Sequence, residues 1–175
     1  LWGKTYTVQT EDEVEWALKI PLSPSDLPDG HEKLAQVSRK ILVEQGNILS
    51  DSHAPQFLAP RLQFTTKEGI PCLLFPKLES NLEQRLQQGC SLREILAIAV
   101  QLVEAIDSLP LSLSAHGNLH PRNVFLASRT SVKLSDPITP TLTRHYAALR
   151  QARETDTRYM PPEARELEVG SPQQV

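Results

Sequence analysis

Apolar residues occupy every second position in the first part of the chain, which is the pattern of a β-strand. The clearest run is formed by Val14, Trp16, Leu18 and Ile20. It predicts a strand over residues 14–20, paired with a strand over 4–9 through an acidic turn at 11–13. Shorter apolar runs on either side of turn residues predict further strands at 57–64, 70–75, 123–127 and 131–135.

Apolar residues spaced by three and four positions predict two long helices. The first covers residues 31–49, where Gly46 weakens the last turn by roughly 1 kcal/mol relative to Ala. The second covers residues 92–109 and opens with the capping-box pair Ser91 and Glu94. Its wide apolar face comprises Leu92, Ile95, Leu96, Ala99, Leu102, Val103 and Ile106.

Strands dominate the first 80 residues and helices follow them. A short helix is expected at 81–88, and a helical patch is expected near 142–152. This order of elements predicts an α+β protein with two lobes.

Composition and charge exclude several classes of protein. Hydrophobic residues make up 39% and charged residues 22% of the 175, which suits a soluble globular protein. The formal net charge of -3 gives no basic footprint for nucleic acid. No run approaches the roughly 18 apolar residues of a membrane helix. Cys72 and Cys90 are too few for a disulfide framework, which favours a reducing, cytoplasmic compartment.

Three stretches in the second half carry most of the residues that could perform chemistry. They read AHGNLHPRNVFL at 115–126, VKLSDPI at 132–138 and RYMPPEA at 158–164. In this order after a long helix, they resemble the catalytic loop, the metal-binding loop and the end of the activation segment of eukaryotic-type Ser/Thr protein kinases. Their common order carries the resemblance more than any one motif does.

The N-terminal part is similar to the same family. Residues 17–20 look like the third-strand motif, whose lysine, here Lys19, holds the α- and β-phosphates of the nucleotide. Residues 3–8 look like the tail of the glycine-rich loop, and residues 75–78 look like the hinge with Phe75 at the gatekeeper position. The resemblance implies a cofactor-binding set made of Gly3, Val8, Ala17, Lys19, Glu44, Phe75, Leu78 and Asn123.

A bilobal protein kinase-like fold is implied by this resemblance. Residues 1–78 would form a β-rich N-lobe and the hinge, and residues 79–175 would form a helical C-lobe that is incomplete in this chain. Without further helices, the apolar face of 92–109 should stay partly exposed unless a protein partner covers it.

ATP with Mg²⁺ is the cofactor that the resemblance implies. Phosphoryl transfer depends on positioning and on neutralising the charge of the phosphates, and Mg²⁺ prefers oxygen ligands. Lys19 would meet the phosphates, while Asp136 and Asn123 would hold the metal. Glu44 is the candidate to hold Lys19 in place, with Ser38 as the competing position.

Departures from the family pattern affect the residues that perform catalysis. The proton-accepting aspartate corresponds to Asn118, whose amide cannot accept a hydroxyl proton at neutral pH. General-base steps contribute about 10²–10⁴-fold in rate. The other altered positions are Gly117, His120, Pro137, Ile138 and Asp156. The pattern predicts a pseudokinase that binds nucleotide, transfers phosphate poorly and has a regulatory or scaffolding role.

Two other functions stay open at this point. The chain could be an active Ser/Thr protein kinase with an atypical catalytic loop, or a small-molecule phosphotransferase of the aminoglycoside type. The stretch at 158–164 argues against the second, because that family lacks such an ending.

His116 is expected to be structural and to bond the backbone of the metal-binding loop. Zinc bound by His116 and His120 is disfavoured for two reasons. Gly117 and Pro121 would break a helix that presents both rings, and no third ligand is evident.

Overall fold

The computed structural model describes residues 2–51, 55–109, 113, 115–138, 149 and 159, and in these ranges a four-stranded antiparallel sheet forms the first lobe. The strands lie in the order β1-β2-β4-β3. Hairpins join β1 to β2 and β3 to β4, as the alternating pattern and its turns predict. The strand bounds are β1 (Gly3–Gln9), β2 (Glu15–Pro21), β3 (Leu62–Thr65) and β4 (Pro71–Pro76).

The strand predicted at 57–64 begins later than its apolar residues suggest. Phe57 forms an isolated parallel bridge with Leu134 of the second lobe, and backbone hydrogen bonds of 2.7 and 2.8 Å flank that bridge. Pro60 has no N–H to donate to a ladder, and β3 starts two residues later at Leu62. The segment before β3 therefore ties one lobe to the other.

Helix α1 (Leu34–Asp51) packs its buried side against the sheet, and its bounds lie close to the predicted 31–49. Gly46 allows a close approach between the two. A Cβ atom at this position would lie 2.5 Å from Gln63 Oε1 and 2.7 Å from Leu73 Cδ2. The lower helix propensity of glycine is thus offset by packing that no larger residue permits.

The second lobe combines two helices with a small antiparallel sheet in the order β5-β6-β7. Ser91 and Glu94 form the predicted capping box, and hydrogen bonds from Ser91 lower the pKa of the Glu94 carboxyl to about 2. The short strands hold the loops that carry most of the predicted site residues. The elements are β5 (Ser80–Asn81), α2 (Leu82–Gln87), α3 (Leu92–Asp107), β6 (Val124–Leu126) and β7 (Val132–Leu134).

Much of the apolar surface of α3 faces solvent. Leu92 and Val103 are 72% and 68% exposed, while Ile98 and Ala105 are buried. The helix rests on β7 through these two buried residues, so the wide face recognised from spacing points largely outward. The expectation that this face stays partly exposed is confirmed.

The main hydrophobic core crosses from one lobe to the other. It joins Leu42 of α1 and Leu73 of β4 to Ile98 of α3 and Leu134 of β7. The prediction of an α+β protein with a β-rich lobe followed by a more helical one is therefore confirmed.

Two sequence predictions fall on other parts of the chain. The helical patch near 142–152 and the stretch at 158–164 lie outside the described residues, except for Leu149 and Tyr159. Among the described helices, none has the length and apolar character needed to cross a bilayer.

Candidate functional site

Lys19 and Asp136 form an ion pair although 117 residues separate them in the chain. Lys19 lies in the middle of the sheet, where it is in register with Thr5 of β1 and Leu73 of β4. Its side chain is 7% exposed, and the side chain of Asp136 is 20% exposed. An interior strand thus delivers a buried cation to the loop that follows β7.

The indole of Trp2 also contacts the ammonium of Lys19. The distance from Lys19 Nζ to the centre of the ring is 4.7 Å, within the range of a cation–π interaction. Trp2 itself is 1% exposed. The charge of Lys19 is therefore balanced inside the protein by a carboxylate and by an aromatic ring.

Gln45 connects Trp2 to the loop that carries Asp136. Its Oε1 accepts a hydrogen bond from Trp2 Nε1 at 2.9 Å, and its Nε2 donates to the carbonyl of Pro137 at 3.0 Å. Gln45 is 2% exposed, so both bonds lie in the interior. Buried amides of this kind are costly unless both ends are satisfied, and here both ends are.

The Asp136 loop is fastened to the loop at 115–123. Asp136 has a φ of 61°, in the left-handed region that few residues other than glycine adopt. Asn118 Nδ2 donates to its carbonyl at 3.0 Å. Two residues further on, the N–H of Ile138 donates to the carbonyl of His116 at 2.9 Å. These bonds on either side of the turn fix the position from which the carboxylate reaches Lys19.

Asn123 braces the same loop from within. It ends a short 3₁₀ turn, is 6% exposed, and its Nδ2 donates to the carbonyl of Asn118 at 2.8 Å. Its own carbonyl accepts a hydrogen bond from the N–H of Ser135 at 2.9 Å. Because the amide nitrogen is engaged, Oδ1 is the atom of this side chain that suits a cation.

The donor atoms around Lys19 fit magnesium and phosphate better than a metal held by protein alone. No group of three or more His, Cys, Asp and Glu side chains gathers within the described residues. What the site offers is the Asp136 carboxylate, the Asn123 amide oxygen and the Lys19 cation. Magnesium is commonly bound by one or two protein oxygens together with substrate phosphates, so these residues match that chemistry.

His116 is buried behind the site. It is 4% exposed, and its ring stacks on Phe57 at a centroid distance of 6.2 Å. Burial lowers the pKa of its imidazole to about 4, against smaller opposing effects of the Asp136 charge and the Ser135 backbone. The ring lies beside the Ser135 backbone in the loop that follows β7, and the main-chain carbonyl of His116 accepts from the N–H of Ile138 in the same loop. This position suits the structural role expected of His116, and a ring bond to that loop stays a prediction.

Comparison with known families decides the identity of this fold. A family model described as protein tyrosine and serine/threonine kinase matches residues 32–171, which is well over half of the chain. The chain belongs to this kinase family. The matched range includes α1, Asn118, Asn123 and Asp136, whereas Lys19 lies before it and joins the site through the sheet.

A curated kinase resembles part of this kinase domain. The membrane-associated tyrosine- and threonine-specific cdc2-inhibitory kinase wee-1.3 of Caenorhabditis briggsae is 33% identical over 87 residues. The similarity covers 46% of the present chain and 13% of that protein. The chain thus spans only a small part of the relative that it matches.

The predicted nucleotide-contacting residues of the kinase domain fall on neighbouring strands. Gly3 and Val8 lie on β1, and Ala17 lies on β2 in register with both Thr7 and Phe75. Phe75 is buried near the end of β4. Leu78 follows it by three residues, just after the strand, and is half-buried. Strand pairing therefore brings all of these positions except Leu78 to one sheet, and their contacts with nucleotide stay a prediction.

The prediction that Glu44 holds Lys19 is wrong. Glu44 lines a cavity of about 620 Å³ between α1 and the β3–β4 hairpin, together with Arg39, Lys40 and Thr65. Neighbouring helical residues point about 100° apart, so the next residue, Gln45, faces the site in its place. The kinase domain therefore keeps its lysine paired with Asp136 and has an uncharged amide on the helix.

Sequence reasoning missed Trp2 and Gln45 as members of the site. Gln45 follows Ile41 by four residues, so its place on the apolar face of α1 could have marked it as a buried polar group. Trp2 offered no such signal, because one aromatic residue before a strand is compatible with many positions. Only the fold brings its ring to Lys19.

Proposed function

We propose that this kinase domain binds ATP with Mg²⁺ between Lys19 and Asp136 and that it transfers phosphate poorly. The Lys19–Asp136 ion pair is the observation that carries the proposal, because it joins the two charges that a magnesium–phosphate group requires. Such a domain would regulate or scaffold a protein partner more than it would modify a substrate.

Each residue of the site has a separate part in this proposal. Lys19 would offset phosphate charge, and the oxygens of Asp136 and Asn123 would hold the magnesium ion, which neutralises the charge of the phosphates when it is bound. Ala17 and Phe75 would border the base, since they are register partners on adjacent strands.

Asn118 is the reason that transfer should be weak. A carboxylate at this position would take or orient the hydroxyl proton of a substrate, and the amide of Asn118 does neither. Its nitrogen instead donates to the carbonyl of Asp136 at 3.0 Å. The residue would therefore act as a tie between two loops.

An active protein kinase is the second candidate. The retention of Lys19, Asn123 and Asp136 in one place supports it, because these residues supply positioning and charge neutralisation without a general base. Phosphorylation of a generic protein substrate by the native chain, measured with radiolabelled ATP, discriminates the two. Transfer at rates usual for kinases would replace the first proposal by the second.

Nucleotide binding is tested by thermal unfolding. ATP with Mg²⁺ should raise the melting temperature of the native chain, because a ligand that binds only the folded state stabilises it. Lys19→Ala should abolish the rise, whereas Lys67→Ala should retain it, since Lys67 lies exposed in the turn between β3 and β4. A native protein that shows no rise in high ATP would remove nucleotide binding by the native chain from the proposal.

A further inference from the structure

Groups of this chain already enclose Lys19, the cation that would meet the phosphates. Asp136 binds it as an ion pair, the Trp2 ring lies 4.7 Å from its Nζ, and the residue is 6% exposed. A phosphate oxygen must come within about 2.7–2.9 Å of an ammonium nitrogen to form a charge-assisted hydrogen bond. Because so little of the residue is open to solvent, we expect phosphate to reach the ammonium only after one of the two groups that contact it moves.

Trp2 is the neighbour that has to move. Asp136 is the carboxylate on which the magnesium ion would depend, so its departure would remove the metal along with the contact. The side chain of Trp2 has neither an oxygen ligand for magnesium nor a positive charge for the phosphates. Its ring and the phosphates would instead compete for the same cation, because a cation–π contact requires the ring within about 6 Å of the charge.

Trp2 is also held in place by groups that belong to α1. Its indole donates to Gln45, and its carbonyl accepts a hydrogen bond from the Ser38 hydroxyl. The N–H of Leu22 donates to the same hydroxyl at 2.8 Å. The ring packs in a buried cluster that includes Ile41 and Ile138. The indole N–H and the main-chain carbonyl of Trp2 are therefore both hydrogen-bonded, and the buried ring is a structural part of the site.

Gln45 makes the position of Trp2 depend on the Asp136 loop. The same amide that accepts from the indole donates to the Pro137 carbonyl, next to Asp136. A movement of Trp2 out of the core would leave Gln45 Oε1 without this donor and would loosen one tie of the loop. Release of the ring and adjustment of the metal-binding carboxylate are thus coupled through one side chain.

We propose that Trp2 is an internal cap that competes with nucleotide phosphates for Lys19 and holds this kinase domain in a self-closed state. The inference rests on the proposed nucleotide function and adds its regulation. Anything that withdraws Trp2 from α1 opens the site, and nucleotide binding in turn expels the ring. The domain is therefore regulated at the edge of its sheet, where a movement of the start of β1 displaces Trp2.

Calorimetric titration with ATP and Mg²⁺ tests the cap. Trp2→Phe keeps a ring but loses the bond to Gln45, so the affinity should rise several-fold; Trp2→Ala should raise it about tenfold. Trp16→Phe is the matched control, since Trp16 lies three residues before Lys19 on β2 and so on the other face of the strand. Its affinity should equal that of the native chain, and Lys19→Ala should bind no nucleotide.

Tryptophan fluorescence gives a readout that does not depend on the stability of the Ala variant. Trp2 and Trp16 are the two tryptophans of the chain, so Trp16→Phe leaves Trp2 as the only reporter. Its emission should be that of a buried indole in the free protein and should shift to the red on saturation with ATP and Mg²⁺. Solvent-exposed emission before any ligand is added would overturn the cap.

The outcomes separate the cap from the proposed function. Equal affinities of the native chain, Trp2→Phe and Trp2→Ala would overturn the cap and leave nucleotide binding intact. Saturable binding with unchanged Trp2 emission would do the same. An absence of binding in every form, the Trp2 variants included, would overturn both. If Trp2→Ala does not fold by circular dichroism, the Phe variant and the emission shift decide the question.

Discussion

The side-chain amide of Asn118 donates a hydrogen bond to the main-chain carbonyl of Asp136, with a nitrogen-to-oxygen distance of 3.0 Å. The resemblance to protein kinases assigns Asn118 to the position of the proton acceptor and Asp136 to that of a metal ligand, and here the first residue is a donor to the second. A carboxylate in its place could accept a proton but could not make this bond. In the proposed assignment, Asn118 is therefore a structural group at the position where an active kinase has its proton acceptor.

Asn118→Asp should therefore raise phosphoryl transfer and lower stability at the same time. A restored general base contributes up to about 10²–10⁴-fold in rate. Loss of the donor to Asp136 should lower the free energy of unfolding by about 1–2 kcal/mol. Transfer to a generic protein substrate and denaturant unfolding measure the two effects.

Asn118→Ala is the matched control for that variant. It removes the same hydrogen bond without supplying a base, so its stability should fall similarly while transfer stays at the native level. A gain in rate for both variants would mean that release of the loop, and not a proton acceptor, limits the native domain.

The ion pair between Lys19 and Asp136 should show strong energetic coupling. We expect a double-mutant cycle of Lys19→Met and Asp136→Asn to give a coupling energy of about 1–3 kcal/mol, because the lysine is buried and the carboxylate mostly so. Asn tolerates the left-handed backbone of position 136, so the substitution tests charge more than conformation. Urea unfolding of the four proteins provides the measurement.

The pair of Lys77 with Glu15 serves as the reference for this cycle. Its side chains are 38% and 53% exposed, so solvent screening should reduce the coupling to at most about 1 kcal/mol. Couplings of the same size in the two cycles would show that the Lys19–Asp136 contact adds little to the folded state.

The lobes and most of their elements could be predicted from the sequence, because hydrophobic period and capping residues are local signals. The capping box of Ser91 and Glu94 is a good example, since both partners lie within one helical turn. Gly46 is the opposite case. Its effect on helix propensity is local, whereas its close approach to Gln63 and Leu73 depends on how α1 lies on the sheet.

Site residues that belong to a sequence motif could be predicted. Residues whose place in the site depends on how a helix or a chain end packs could not. The meeting of Lys19 with Asp136 follows from two motifs and their order in the chain. The choice of Gln45 over Glu44 depends on the rotation of one helix by a single residue. Trp2 has no motif at all, so its contact with Lys19 required the fold.

Gly117→Ala should destabilise the protein more than Gly30→Ala does. Both glycines have positive φ, 70° and 83°, so both substitutions carry a backbone cost of about 1 kcal/mol. A Cβ at 117 would also lie 3.0 Å from the carbonyl oxygen of Ile138, whereas nothing lies within 4 Å of one at 30. The additional loss should be about 1–3 kcal/mol, measured by chemical denaturation.

The same crowding predicts that a longer side chain at position 117, such as arginine, is not tolerated either. Gly117→Arg should destabilise the fold at least as much as Gly117→Ala, since both carry the same Cβ toward Ile138. If Gly117→Ala and Gly30→Ala lose equal stability, the contact with Ile138 does not constrain the loop.

His116 should make the protein less stable as the pH falls from about 6.5 to about 4. Burial lowers the pKa of its imidazole from 6.5 to about 4, so in this window the unfolded chain binds more protons than the folded one. Stability then rises with pH and is lost on acidification, by on the order of 3 kcal/mol at about 1.36 kcal/mol per pKa unit. The measurement is the free energy of unfolding in urea at several pH values.

His116→Phe, which keeps a ring against Phe57, should flatten this part of the stability profile, whereas His31→Phe, at an exposed position, should leave it unchanged. An equally steep profile for His116→Phe would assign the acid sensitivity to other groups, such as the carboxyls of Asp26 and Glu94, whose pKa values lie at about 2 and which therefore lose stabilisation at lower pH.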